Sequence, residues 1–185
     1  MNREKLIIHT CCAICGSEIS ERMKEGFEPI IFFCNPNIYE EKEYAERRDA
    51  ARKLSEDLSI PFFEDPYDRK EWLEKAGKMP HEPEGGKRCE ECFKLRLARA
   101  AIFAKENNTD KLTTTLAASP HKNEVLVRKI GQEEAEKKGL TFIDPLSETD
   151  KQAAWNEALK KSKEAGYYRQ KYCGCEFSDR NPRAK

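Results

Sequence analysis

The chain has 185 residues, with 38% apolar and 37% charged side chains, and its 34 Lys and Arg are matched by 34 Asp and Glu. That length can bury one ordinary core, and a net charge of zero excludes a global electrostatic argument for nucleic-acid binding. No stretch is apolar enough for a transmembrane helix, and the opening MNREKLIIHTCC lacks a signal-peptide apolar region, so a cytoplasmic protein away from membranes is expected.

In chain order, Lys5 to His9 (KLIIH) reads as a buried strand, followed by the CCAIC loop and a helix from about Ser17 to Lys24. Pro29 to Phe33 is a second strand ending at Cys34, and Tyr39 to Leu58 is a helix by composition and charge pairing. Pro61 to Phe63 is a short third strand, and Asp68 to Ala76 a helix. Gly77 to Lys87, with two prolines and two interior glycines, is a loop. Glu90 to Lys105 is a helix, Lys111 to Leu116 a fourth strand, Asn123 to Lys138 a helix, Thr141 to Ile143 a fifth strand and Lys151 to Ala165 the last helix. Strands alternating with helices predict a single-domain α/β fold over residues 1–185, a Rossmann-like open parallel sheet of about five strands with helices on both faces. Ligands of such folds bind beyond the carboxyl ends of the strands. Cys11, Cys12, Cys34 and Ser119 follow strands and belong on that rim. From residue 160 to 185, eight Lys or Arg stand against three acids, so this end is basic: a solvated tail or a binding segment.

The chemistry is in the cysteines. Seven of the eight fall in three groups, Cys11-Cys12-x-x-Cys15, Cys89-x-x-Cys92 and Cys173-Gly174-Cys175, with Cys34 apart. In a reducing compartment such groups are metal ligands or catalytic thiols more often than structural disulfides. Cys89 and Cys92 open a helix, where the helix terminus and Lys87, Arg88 and Arg96 are expected to favour thiolates. With a second cysteine group on the same rim, the best reading is a four-thiolate site, for iron–sulfur or for zinc. A disulfide across one residue is strained and easily reduced, which suits a two-electron store, and Gly174 supplies the backbone freedom; a second metal is the alternative. His9 reads as a satisfied core histidine. No glycine-rich phosphate loop follows the first strand, so nothing points to ATP.

Five segments together resemble a known family. They are HTCCAIC (His9 to Cys15), NPNI (Asn35 to Ile38) with Glu43, Tyr44 and Arg47, RCEECFKLRL (Arg88 to Leu97), TTLAASP (Thr114 to Pro120) and YRQKYCGC (Tyr168 to Cys175). In this order they are similar to the cobalamin-independent epoxyqueuosine reductases, the QueH family, from about Leu6 to Ser178. Ile14 stands where that family usually has proline. The resemblance implies a nucleotide-hydrolase-like sheet without a phosphate loop. It also implies reductive removal of the epoxide oxygen of epoxyqueuosine at the wobble position of a tRNA anticodon, giving queuosine. By position, Cys11, Cys12, Cys89 and Cys92 would hold a [4Fe-4S] cluster, with Cys15 a further candidate ligand, and Cys173 and Cys175 would be the redox-active pair. A second, mononuclear iron is a candidate cofactor, an external electron donor is required, and neither cobalamin nor ATP is expected. Candidate substrate-binding residues are Tyr44, Arg47, Arg88, Arg96, Ser119, Tyr168, Gln170 and Tyr172. Arg99, Lys160, Lys161, Lys163, Arg169 and Lys171 are candidates for phosphate contacts. A monomer suffices. The competing readings are a zinc-binding RNA-recognition module without redox activity and an iron–sulfur tRNA thiolation enzyme.

Overall fold

The computed structural model describes residues 3–147 and 150–178. Arg180, Arg183 and Lys185 of the basic segment lie outside the described residues. Five strands, β1 (Lys5–His9), β2 (Glu28–Phe33), β3 (Phe62–Glu64), β4 (Lys111–Thr114) and β5 (Thr141–Phe142), form one sheet in the order β3-β2-β1-β4-β5. All pairings are parallel, with Ile7 of β1 between Ile30 of β2 and Leu112 of β4. The helices are α1 (Ala13–Gly26), α2 (Glu41–Leu58), α3 (Lys70–Lys75), α4 (Lys87–Glu106), α5 (Glu124–Glu136) and α6 (Lys151–Glu164). This is the expected Rossmann-like arrangement.

The central strands are buried from their second residue onward because helices cover both faces, which is why they read as continuous apolar runs rather than alternating ones. Leu6 and Ile8 pack with Ile14 and Ile19 of α1 and Ala158 of α6. Ile7 points the other way, onto Ala100, Ala101 and Ala104 of α4 and Ala135 of α5, small residues that let the helices lie close. His9 is fully buried at the end of β1. Its Nδ1 lies 2.8 Å from Thr114 Oγ1 and its Nε2 3.1 Å from the Cys34 carbonyl, tying three strand ends together. Burial first, then the Arg96 charge, lowers its pKa to about 3, so it is neutral.

Two boundaries differ in ways that matter for the site. α1 starts at Ala13, not near Ser17, and α4 starts at Lys87, not Glu90. Neither N-cap, Cys12 or Gly86, makes a side-chain capping bond, so the usual sequence mark of a helix start is missing. β4 also ends two residues early: the Thr114 hydroxyl accepts from the Leu116 N–H and begins a 3-10 turn over Thr115–Ala118.

Candidate functional site

β1 and β4 are neighbours whose crossovers leave in opposite directions along the sheet, which opens a crevice beyond their carboxyl ends. The first cysteine group sits there. The Cys11 N–H donates to Thr115 Oγ1 at 3.0 Å, and the Thr115 hydroxyl donates to Cys11 Sγ at 3.2 Å. Cys12 caps α1 and Cys15 occupies its first turn, so the chain wraps three buried thiols round one helix N-terminus. Their sulfurs lie within 4.8 Å of one another, a geometry able to hold a metal ion. The Cys11 and Cys12 sulfurs are 3.8 Å apart, about the edge of a tetrahedron whose corners lie about 2.3 Å from a central ion. Hydrogen bonds with the Cys12 and Cys15 thiols hold Cys11 well below the usual thiol range, and hydrogen bonds with Cys11 and Cys12 push Cys15 well up.

The second group is built from two elements. Cys89 and Cys92 lie on the first turns of α4, and with Cys173 and Cys175 they line a narrow cavity of about 40 Å³. Gly85 N–H donates to Cys89 Sγ at 3.2 Å, yet burial still raises Cys89, against the expectation that the helix terminus would favour its thiolate. The Cys175 thiol, hydrogen-bonded to Cys173, lowers Cys173 to about 6 and is itself pushed far up. Gly174 has φ +94°, and a Cβ there would meet Ile38 Cγ1 at 2.9 Å and the Arg47 guanidinium at 3.1 Å, so only glycine fits. The Arg47 guanidinium donates to the carbonyls of Cys173 (3.1 Å) and Tyr172 (2.9 Å), Asn37 Nδ2 donates to Cys173 O (3.1 Å), and Tyr39 N–H donates to Gly174 O (3.0 Å). The chain after α6 is therefore a strap held down by the start of α2.

The groups adjoin. Cys89 packs against the cluster that contains Cys11, Cys12 and Cys15, and Cys173 lines both the narrow cavity and a larger one. Of the quartet expected from sequence, the structure places Cys11 and Cys12 with Cys15, and Cys89 and Cys92 with the Cys173–Cys175 pair. Cys34 stands apart, fully buried, with its thiol 3.2 Å from Asp65.

The larger cavity, about 430 Å³, has the size of a small-molecule site. Cys11, Cys15 and Cys173 line it together with five cations, Arg47, Arg96, Lys122, Arg169 and Lys171, and among the described residues no carboxylate belongs to its lining. Ser119, Gln170 and Tyr172 also line it, and among the described residues the buried Gln170 Oε1 has no hydrogen-bond partner. Arg96 is 3% exposed and donates to Cys34 O and Asn35 Oδ1, on the wall between the two cavities. Arg88 lines only the narrow cavity, where it braces the carbonyls of Met79, Pro80 and Phe177. Tyr44 and Tyr168 line neither cavity: Tyr44 packs on Phe33 and Tyr67 and donates to Glu64, and Tyr168 donates to Glu43. Arg99 is taken up by Asp65 and Glu71. Trp155, His121 and Lys122 line the larger cavity and were not expected there. Lys122 was discoverable only as an isolated lysine in the loop after Ser119-Pro120.

A profile of the family described as epoxyqueuosine reductase QueH matches residues 6–181. The chain belongs to the QueH family. The epoxyqueuosine reductase QueH of Acinetobacter baylyi is 36% identical over 185 residues, covering 97% of this chain and 83% of that one. The QueH of Thermotoga maritima is 35% identical, covering 94% and 89%. Membership of the QueH family makes the chain an oxidoreductase. A solved structure of a predicted subunit of a tRNA methyltransferase from Methanocaldococcus jannaschii superposes with TM-score 0.57 at 15% identity, covering 85% of this chain and 76% of that one; it shares the fold. Among the described residues no helix is long and apolar enough to cross a membrane.

Proposed function

We propose that this chain reduces the epoxide of epoxyqueuosine in a tRNA anticodon to the alkene of queuosine, using a thiolate-held iron–sulfur centre and the Cys173–Cys175 pair. The observation that carries this reading is the position of Cys173, which faces both the cation-lined cavity and its partner thiol. One epoxide and two thiols give one alkene, one disulfide and one water. Both C–O bonds break, the S–S bond forms and two electrons pass from sulfur to carbon; the oxygen leaves as water with the Cys175 proton and one proton from solvent, which took up the Cys173 proton when its thiolate formed. Cys173, with its pKa lowered to about 6, supplies the thiolate at neutral pH, and Cys175 keeps its proton. Lys122 and Arg96 line both cavities, and positive charge there stabilises the negative charge that grows on the departing oxygen. Gln170 offers its free acceptor to an N–H of the base, and Trp155 offers a stacking surface. An external electron donor restores the dithiol. The scheme uses neither cobalamin nor ATP, and one chain supplies the whole cavity, so a cytoplasmic monomer suffices.

An all-thiol donor set fits iron–sulfur or zinc. Cys11, Cys12, Cys89 and Cys92 would hold the [4Fe-4S] centre, with Cys15 available to a mononuclear iron. When bound, such a centre passes electrons singly and offers a Lewis-acidic iron. The compactness of the Cys11, Cys12 and Cys15 triad favours a second reading, a single tetrahedral ion on that group, zinc included.

Anaerobic purification with iron, zinc and sulfide analysis, followed by an assay on epoxyqueuosine tRNA with a strong reductant, separates these readings. About four irons with matching sulfide, conversion to queuosine, and loss of multiple turnover in Cys173→Ser are the expected results. A colourless protein holding only zinc after attempted cluster reconstitution would sink the reductase mechanism.

A further inference from the structure

A second basic surface continues from the cation-lined cavity. A groove of about 460 Å³ runs between the last turns of α6 and the chain that follows, and Lys160, Lys163, Tyr167 and Arg169 line it. Arg169 lines this groove and the larger cavity alike, so the two adjoin at that side chain. Trp155 of the cavity, then Leu159, then Lys163 follow one another at four-residue steps along one face of α6. That stripe is about 12 Å long at 1.5 Å per residue.

The cations lining this groove are less engaged than their neighbour on the same helix. Lys161, one residue away, is bound by Glu18 (2.5 Å) and Glu21 of α1. Lys160 reaches Glu157 only at 3.8 Å and is 63% exposed. Among the described residues, Lys163 and Arg169 have no carboxylate partner. A lysine pair beside a pocket for one nucleotide, joined to it by an arginine, has the charge and direction of a track for a polynucleotide strand.

We propose that the phosphates of the strand flanking the target nucleotide lie in this groove, passing Arg169 and meeting Lys163 and Lys160. This rests on the reading that the cavity takes a tRNA nucleotide. Phosphate contacts of this kind fix register without reading sequence, and they make binding fall with salt.

The test is equilibrium binding of an anticodon stem-loop carrying epoxyqueuosine, measured over a range of salt with anaerobically purified protein. The variants are the double reversal Lys160→Glu/Lys163→Glu, the control reversal Lys105→Glu/Lys129→Glu on α4 and α5, and Trp155→Ala. At about 0.7 per phosphate contact on a single strand, the Lys160/Lys163 reversal is expected to flatten the log–log salt slope by about 1.4 and to weaken binding at least tenfold at low salt. The control reversal and Trp155→Ala are expected to keep the wild-type slope. Circular dichroism melting shows whether each variant is folded; both groove lysines are exposed and should tolerate the change. Should K160E/K163E be unfolded, Lys163→Met alone is measured, with an expected flattening of about 0.7. An unchanged slope in the groove variant, or an equal loss in the control reversal, would overturn the proposal. Wild-type protein that binds the stem-loop but fails to convert it would instead overturn the reading on which the proposal rests.

Discussion

Trp155 is the residue whose role is easiest to test. Trp72 is fully buried, so quenching of tryptophan fluorescence by a bound nucleotide would report on Trp155. Base stacking on an aromatic ring is worth about 1–3 kcal/mol, so Trp155→Ala is expected to weaken stem-loop binding about tenfold or more and to abolish the quench. Trp155→Phe is expected to retain most of the affinity; full affinity in Trp155→Ala would remove the stacking role. Cys173 gives a pH signature. Its pKa is lowered, so its thiolate forms at lower pH than an ordinary cysteine's: in metal-free protein its alkylation should rise with pH through about 6 and level off near neutrality, where an unperturbed thiol would still be rising through about 8.5. Mass spectrometry of iodoacetamide-treated protein across pH checks this, and a midpoint above 8 would refute it. The thiols were legible because tight cysteine spacing has few uses in a reduced compartment. Trp155 was not, since one tryptophan in an amphipathic helix reads as core. Tyr44 misled for the opposite reason: its position in a matching motif says nothing about which way the ring points, and it packs inside.

The elements that matter most are the strap after α6 and the start of α2 beneath it. Arg47 was expected to meet substrate; it lines the cavity, but its guanidinium is largely occupied with Glu43 and the strap carbonyls. Arg47→Met would leave those buried groups unpaired, and we expect a loss of about 2–3 kcal/mol in unfolding free energy, with faster hydrogen exchange confined to residues 172–175. Gly174→Ala meets both a positive φ and two close atoms, so it should cost about 1–3 kcal/mol and disturb the thiol pair directly. Denaturant unfolding and thiol titration check both variants; wild-type stability in Gly174→Ala would mean the strap is looser than its contacts suggest. The helices themselves were legible from composition and charge pairing, but the starts of α1 and α4 were not, because a cysteine and a glycine do the capping without a side-chain bond. That misplacement mattered: it moves Cys15 from a loop, and Cys89 from the edge of its helix, into first helical turns.

At the scale of the molecule, the sheet was readable from five apolar runs alternating with helices, and its strand order places the crevice between β1 and β4. The pairing of thiol groups across the crevice was not readable, because spacing along the chain fixes which sulfurs are local but not which element faces which. Metal release should therefore loosen two distant stretches at once. Anaerobic chelation of metal-loaded protein is expected to lower the melting temperature and to speed hydrogen exchange in residues 11–15 and 87–92 together; loosening of only one stretch would place the metal on one group alone. The arrangement also fixes an order of events during synthesis. Cys11, Cys12 and Cys15 enter at the first helix, Cys89 and Cys92 at the fourth, while Cys173 and Cys175 follow the sixth. A nascent chain thus holds its proposed metal ligands well before its proposed redox pair exists, so a cofactor-delivery partner can find the ligands before the chain owns a thiol pair able to react.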